Sequence, residues 1–141
     1  MPIVRRLLET ALYVNDLDRA QECYETVLGL KPMYGNPDPA SAARFRPMNI
    51  PGDSVLLLFK RGVTSETMTL PGGTIPGHEG SGRLHFAFAV DSLAGWRQQL
   101  AAHGVAIEGE TKWPAGGTSW YFRDPDGHLV ELATPGIWPT Y

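Results

Sequence analysis

The feature that most constrains this chain is an internal repeat. Residues 8–14 (Leu-Glu-Thr-Ala-Leu-Tyr-Val) alternate, with Thr10, Leu12 and Val14 on one side and Glu9, Ala11 and Tyr13 on the other. That period of two predicts a strand. Asn15 or Asp16 can cap a helix whose apolar stripe is Leu17, Ala20, Tyr24, Val27 and Leu28. Gly29 stands where a left-handed residue ends such a helix. Residues 30–34, 44–49 and 55–60 then read as three strands, with a Pro-rich loop at 35–42 and a turn at 51–53. The plan recurs from residue 83. Leu84, Phe86, Phe88 and Val90 oppose His85, Ala87 and Ala89. Asp91 or Ser92 caps a helix carrying Leu93, Trp96 and Leu100, and Gly104 ends it. Extended segments follow at 105–108, 119–122 and 129–134, with a loop at 113–117. The expected class is therefore α+β: two βαβββ modules, 1–60 and 81–141, within one domain of 141 residues.

The joint between them, residues 61–80, holds five glycines and two prolines and shows no periodicity. It reads as a long loop, expected to cover part of a pocket.

The repeat singles out four positions. His85 aligns with Glu9 (85 − 9 = 76), and Glu131 with Leu57 (131 − 57 = 74). Glu131 lies in Tyr-Phe-Arg-Asp-Pro-Asp-Gly-His-Leu-Val-Glu-Leu, residues 121–132, a strand–turn–strand pattern. A carboxylate between Val130 and Leu132 is costly to bury unless it is paired, protonated or bound to a metal. Glu9, His85 and Glu131 all fall on the face away from the larger apolar residues. Each has an alanine two residues on, at Ala11, Ala87 and Ala133, which leaves room for a ligand. Modules that face each other would bring the three groups into one cleft.

Composition removes several function classes. Hydrophobic residues make up 43% and charged residues 19%, as in ordinary globular proteins. A net charge of −3 without a basic cluster disfavours nucleic acid as a partner. No apolar run reaches membrane-spanning length and no signal-peptide core is present, so a cytoplasmic protein is expected. A single cysteine, Cys23, rules out an internal disulfide and a thiolate cluster, and it is read as a packing residue.

On three anchors the sequence resembles the vicinal oxygen chelate superfamily of glyoxalases, bleomycin resistance proteins and extradiol dioxygenases. The first is Glu-Thr-Ala-Leu-Tyr-Val-Asn-Asp-Leu, residues 9–17, followed by Cys-Tyr-Glu-Thr-Val-Leu-Gly-Leu, residues 23–30. The second is His-Phe-Ala-Phe-Ala-Val, residues 85–90, and the third is residues 121–132. The resemblance covers nearly the whole chain. It implies paired βαβββ modules whose mixed sheets curl around a cleft, in a homodimer that binds a small molecule.

The resemblance also implies metal ligands at Glu9, His85 and Glu131. Glu9 replaces a common histidine, which hardens the site toward Mn, Fe or Mg while leaving Zn and Ni open. Glyoxalase I has a fourth ligand where this chain has Leu57, which cannot coordinate. The implied function is a metal-dependent lyase, isomerase, transferase or dioxygenase acting on a vicinal-oxygen substrate, and not glyoxalase I in the four-ligand sense. Tyr121, ten residues before Glu131, matches an active-site tyrosine of the extradiol dioxygenases, although the histidine upstream in that signature is missing. Tyr121 and Glu131 are thus the catalytic candidates. Leu57, Phe59, Trp113 and Trp120 are candidates for lining the substrate cleft. Arg44, Arg46 and Arg123 are available for an anion, and His78 and His128 read as solvated. Two alternatives stand beside the enzyme: a metal-free protein that sequesters a drug or hydrophobic metabolite, and a structural dimer with a vestigial site.

Overall fold

Alternation in the first strand becomes β1 (Glu9–Val14), whose Leu12 and Val14 are fully buried. The computed structural model describes all residues, 1–141, and the chain divides into two units, Met1–Gly82 and Arg83–Tyr141.

In the first unit β1 leads into α1 (Leu17–Thr26). Asp16 caps it: its carboxylate accepts from the Arg19 backbone N–H at 3.0 Å, and that bond holds the acid below its ordinary range. Gly29, at φ 71°, turns the chain out, and the Leu30 N–H closes the end on the Tyr24 carbonyl. Next come β2 (Lys31–Pro32), a one-turn helix α2 (Pro39–Ala42), β3 (Phe45–Ile50) and β4 (Ser54–Lys60). Strand order is β1-β4-β3-β2, with β1 and β4 parallel. Leu12, Val14, Met48, Leu56 and Leu58 share one face and are buried, as are Leu17, Ala20 and Tyr24 on α1. The other face carries Glu9, Ala11, Tyr13, Leu57, Phe59 and Phe45.

Two segments read as loops hold regular structure. Asp38 caps α2 through Ser41 N–H, with Pro39 at the first helical position; one turn is too short to show a period. Residues 61–80 contain a hairpin, β5 (Met68–Leu70) and β6 (Gly73–Ile75), whose three-residue strands are equally short.

The second unit holds β7 (His85–Ala89), α3 (Trp96–Ala102), β8 (Gly109–Lys112), β9 (Thr118–Arg123) and β10 (Leu129–Ala133). Its order is β7-β10-β9-β8, with β7 and β10 parallel, the same plan as the first unit. The registers repeat as well. Glu9 pairs with Val55 and Ala11 with Leu57, while His85 pairs with Leu129 and Ala87 with Glu131. Leu100, Phe122, Val130 and Leu132 are its most deeply buried apolar side chains. Two expectations shift. Neither Asp91 nor Ser92 caps α3, which begins after a left-handed Gly95. The strand expected at 105–108 forms instead at β8, where Gly-Glu-Thr-Lys offers no apolar alternation to read.

Candidate functional site

Glu131 is only 6% exposed, on the face of the second sheet opposite Val130 and Leu132. Its two oxygens have separate partners. His85 Nε2 lies 2.9 Å from Oε2, and the Tyr121 hydroxyl donates to Oε1 at 3.4 Å. The ladder explains the meeting. Tyr121 is directly across the antiparallel β9–β10 pair from Glu131. His85 comes from β7 on the other side of β10, two positions before Glu131's own partner Ala87. The alanine leaves the space that the imidazole and the carboxylate share. The His85 side chain is 54% exposed, so the pair opens to solvent on the histidine side.

The β9–β10 turn sets this register. Pro125, Asp126 and Gly127 span it; the Gly127 N–H returns to the Asp124 carbonyl, and Gly127 is left-handed at φ 81°. Asp124 Oδ1 accepts from the backbone N–H groups of Asp126 and His128, both at 2.9 Å. His128, read as solvated, is buried instead, and its Nδ1 accepts from the Leu84 N–H at 2.9 Å. It therefore fixes the chain immediately before His85.

The remaining candidates fall in other places. Glu9, the exposed first residue of β1, lines a cavity of about 620 Å³ within the first unit. Leu57, Phe59 and Phe45 from the same face also line it, beneath Met68 and Ile75 of the hairpin. Trp113 is partly exposed, its indole N–H donating at 2.8 Å to the buried Ser119 hydroxyl. Trp120 faces away from Glu131. Its ring lies 4.7 Å below the Arg97 guanidinium of α3, and its N–H donates to Glu110. The three arginines have partners: Arg44 the Val63 carbonyl, Arg46 the Asp18 carboxylate and Arg123 that of Glu108.

One cavity residue was read otherwise from sequence. His78, taken as a solvated loop histidine, lines the cavity, and its Nδ1 is 2.7 Å from the Tyr13 hydroxyl. Burial, and secondarily the nearby Glu79 charge, pushes the Tyr13 phenol above its ordinary pKa. Only the alternation that puts Tyr13 on the Glu9 face hinted at this pair.

As donors for a divalent ion, an imidazole and a carboxylate already in contact are chemically suited. Within this chain no three His, Cys, Asp or Glu side chains gather closely enough to hold an ion.

The profile of the Glyoxalase/Bleomycin resistance protein/Dioxygenase superfamily matches residues 6–132. The chain is 27% identical over 129 residues to a probable lactoylglutathione lyase of Vibrio cholerae, covering 90% of this chain and 88% of that protein. The crystal structure of a lactoylglutathione lyase from Agrobacterium tumefaciens superposes with a TM-score of 0.82 at 31% identity, covering 97% of this chain and 98% of that one. A glyoxalase/dioxygenase from Nostoc punctiforme shares the fold at a TM-score of 0.66 and 24% identity, over 92% of this chain and 90% of that one. With the repeated four-stranded sheets and the match along most of its length, the chain belongs to the glyoxalase/bleomycin resistance protein/dioxygenase superfamily.

Proposed function

We propose that this protein is a divalent-metal-dependent enzyme of the lyase or isomerase kind, acting on a small substrate with two adjacent oxygens. The observation that carries the reading is the His85–Glu131 contact with Tyr121 at the second carboxylate oxygen. His85 and Glu131 would hold the ion, with Glu9 as the third protein ligand. A bound ion would supply Lewis acidity to the paired substrate oxygens.

The chain's own groups supply the proton chemistry. Glu131 Oε1 accepts a proton from substrate carbon or oxygen and returns it. Tyr121, 3.4 Å away, steadies the charge on that oxygen through its hydroxyl hydrogen. Burial of Glu131 keeps water from competing for the carboxylate. Leu57 leaves the glyoxalase I fourth-ligand position apolar, so the reading is not the strict four-ligand enzyme. The working form we expect is a homodimer. The apolar cavity favours a second reading, a metal-free binding protein for a hydrophobic molecule.

Elemental analysis after metal-replete dialysis separates the two. The enzyme reading expects about one ion per chain in the wild type. Glu131→Gln and His85→Ala should each lose it. No ion in the wild type overturns the enzyme reading in favour of the binding protein.

A further inference from the structure

The first unit contains a constellation of its own, on the sheet face that carries Glu9. Its floor is a continuous aromatic surface on one sheet face. Tyr13 stacks on Phe59 with centroids 5.9 Å apart and 24° between planes, and Phe45 lies 5.8 Å from Phe59 on the other side. His78 stands edge-on to Phe59 at 4.8 Å. The roof is the β5–β6 hairpin, which contributes Met68, Leu70, Ile75 and Pro76 to the lining.

The base of that hairpin is tied down. His78 N–H donates to the Thr64 carbonyl, and the Thr64 hydroxyl to the His78 carbonyl. Two glycines allow the close crossings: a Cβ on Gly77 would fall 2.1 Å from the Ser65 carbonyl oxygen, and one on Gly80 would fall 2.4 Å from the Tyr13 ring. The space enclosed, about 620 Å³, lies within the range of small-molecule sites. A glutathione-like anionic tripeptide finds little complement here. Glu9 and Glu66 line the cavity, and its one arginine, Arg44, is tied to the Val63 carbonyl.

Tyr13 also sets the polar chemistry. Its hydroxyl lies 2.7 Å from His78 Nδ1, and with the phenol as donor the imidazole hydrogen sits on Nε2. In that arrangement His78 Nε2 is an N–H donor.

We infer that this cavity binds an aryl-bearing part of the substrate, stacked against Phe59 under the hairpin, with a neutral carbonyl oxygen accepting from His78 Nε2. This deepens the proposed function by naming the substrate class, an aromatic ketone or aldehyde, and it rests on that reading only for the link to chemistry at the metal.

The test uses the full chain and neutral probes. N-phenyl-1-naphthylamine is titrated by fluorescence, and 2-acetylnaphthalene and 2-ethylnaphthalene are compared as competitors. Saturable binding of one probe per chain is expected, weakened about tenfold or more by Met68→Glu or Leu70→Glu, hairpin changes that place charge on the roof. Trp138→Ala, which changes none of the residues lining the cavity, should bind as wild type does. The ketone should outcompete its ethyl isostere by about fivefold, from one added hydrogen bond. His78→Phe should abolish that preference while retaining the ethyl compound. Absence of saturable binding, or hairpin variants that bind like wild type, overturns the cavity assignment. Equal affinity for the two competitors in wild type overturns the role of His78. Glu131→Gln should bind the probe normally, so failure of the metal site and failure of this cavity are read separately.

Discussion

Replacing Asp124 tests how a turn builds the candidate site. Its Oδ1 accepts two backbone N–H groups, from Asp126 and His128, and the residue is 5% exposed. Hydrogen bonds to a charged group contribute about 1.5–3 kcal/mol each. In Asp124→Ala the Asp126 N–H lies near the surface and can turn to water, so its loss counts for little. The His128 N–H is buried and loses the Asp124 acceptor. The expected cost is thus about 2–4 kcal/mol, a large part of the ~5–15 kcal/mol that holds a typical domain. Asp124→Asn keeps an oxygen in the same place and should cost about 1 kcal/mol, from the loss of charge alone. Urea unfolding with unchanged slope measures both. The alanine variant should also weaken metal retention, because the turn aligns Tyr121 with Glu131 and, through His128, holds Leu84 beside His85. An alanine variant within about 0.5 kcal/mol of wild type would refute this account. So would an asparagine variant as damaged as the alanine, since charge and not acceptor geometry would then be the cause.

Three further outcomes follow from single contacts. Gly80→Ala places a methyl against the Tyr13 ring and should cost about 1–3 kcal/mol, read as a lowered melting temperature; an unchanged melting temperature would count against the close crossing. Tyr13 holds its proton more tightly in the folded state than in the unfolded chain, so its contribution is present below the ordinary tyrosine pKa of 10.0 and is lost as pH rises through the folded value. Urea midpoints of wild type should therefore fall more steeply above that pH than those of Tyr13→Phe, and parallel curves would remove the effect. Asp16 has the opposite sign: its folded-state pKa is depressed, so its contribution is present above the ordinary carboxylate range and is lost as pH falls through the lowered value. Circular dichroism of Asp16→Ala should show less helix than wild type at neutral pH and a smaller difference in acid; equal helicity throughout would contradict the cap.

Much of this was legible in one dimension because side-chain alternation is a local property. The offset that aligned Glu9 with His85 and Leu57 with Glu131 reappears in the strand registers, since a period of two allows one facing choice per strand. Asp16 and Gly29 worked in the same way, through hydrogen bonds that span only a few residues. The β5–β6 hairpin did not, because its pairing depends on a partner strand and not on a period within three residues.

Histidines mark the boundary most clearly. Sequence alone placed His85 on the same face as Glu131, by its repeat partner and its alternation with Phe86 and Phe88. It could not distinguish His78 and His128 from surface loop residues, because what surrounds them comes from far along the chain. Tyr13 meets His78, and the Leu84 N–H meets His128. Trp120 shows the same limit from the other side: its aromatic bulk suggested a substrate wall, while the position of α3 made it a core residue under Arg97. The sequence by itself determined the repeated strand plan, the turn chemistry and which residues share a face. Tertiary structure alone decided which of those faces enclose a cavity and which polar groups find partners, because burial and hydrogen bonding depend on the segments that fold over them.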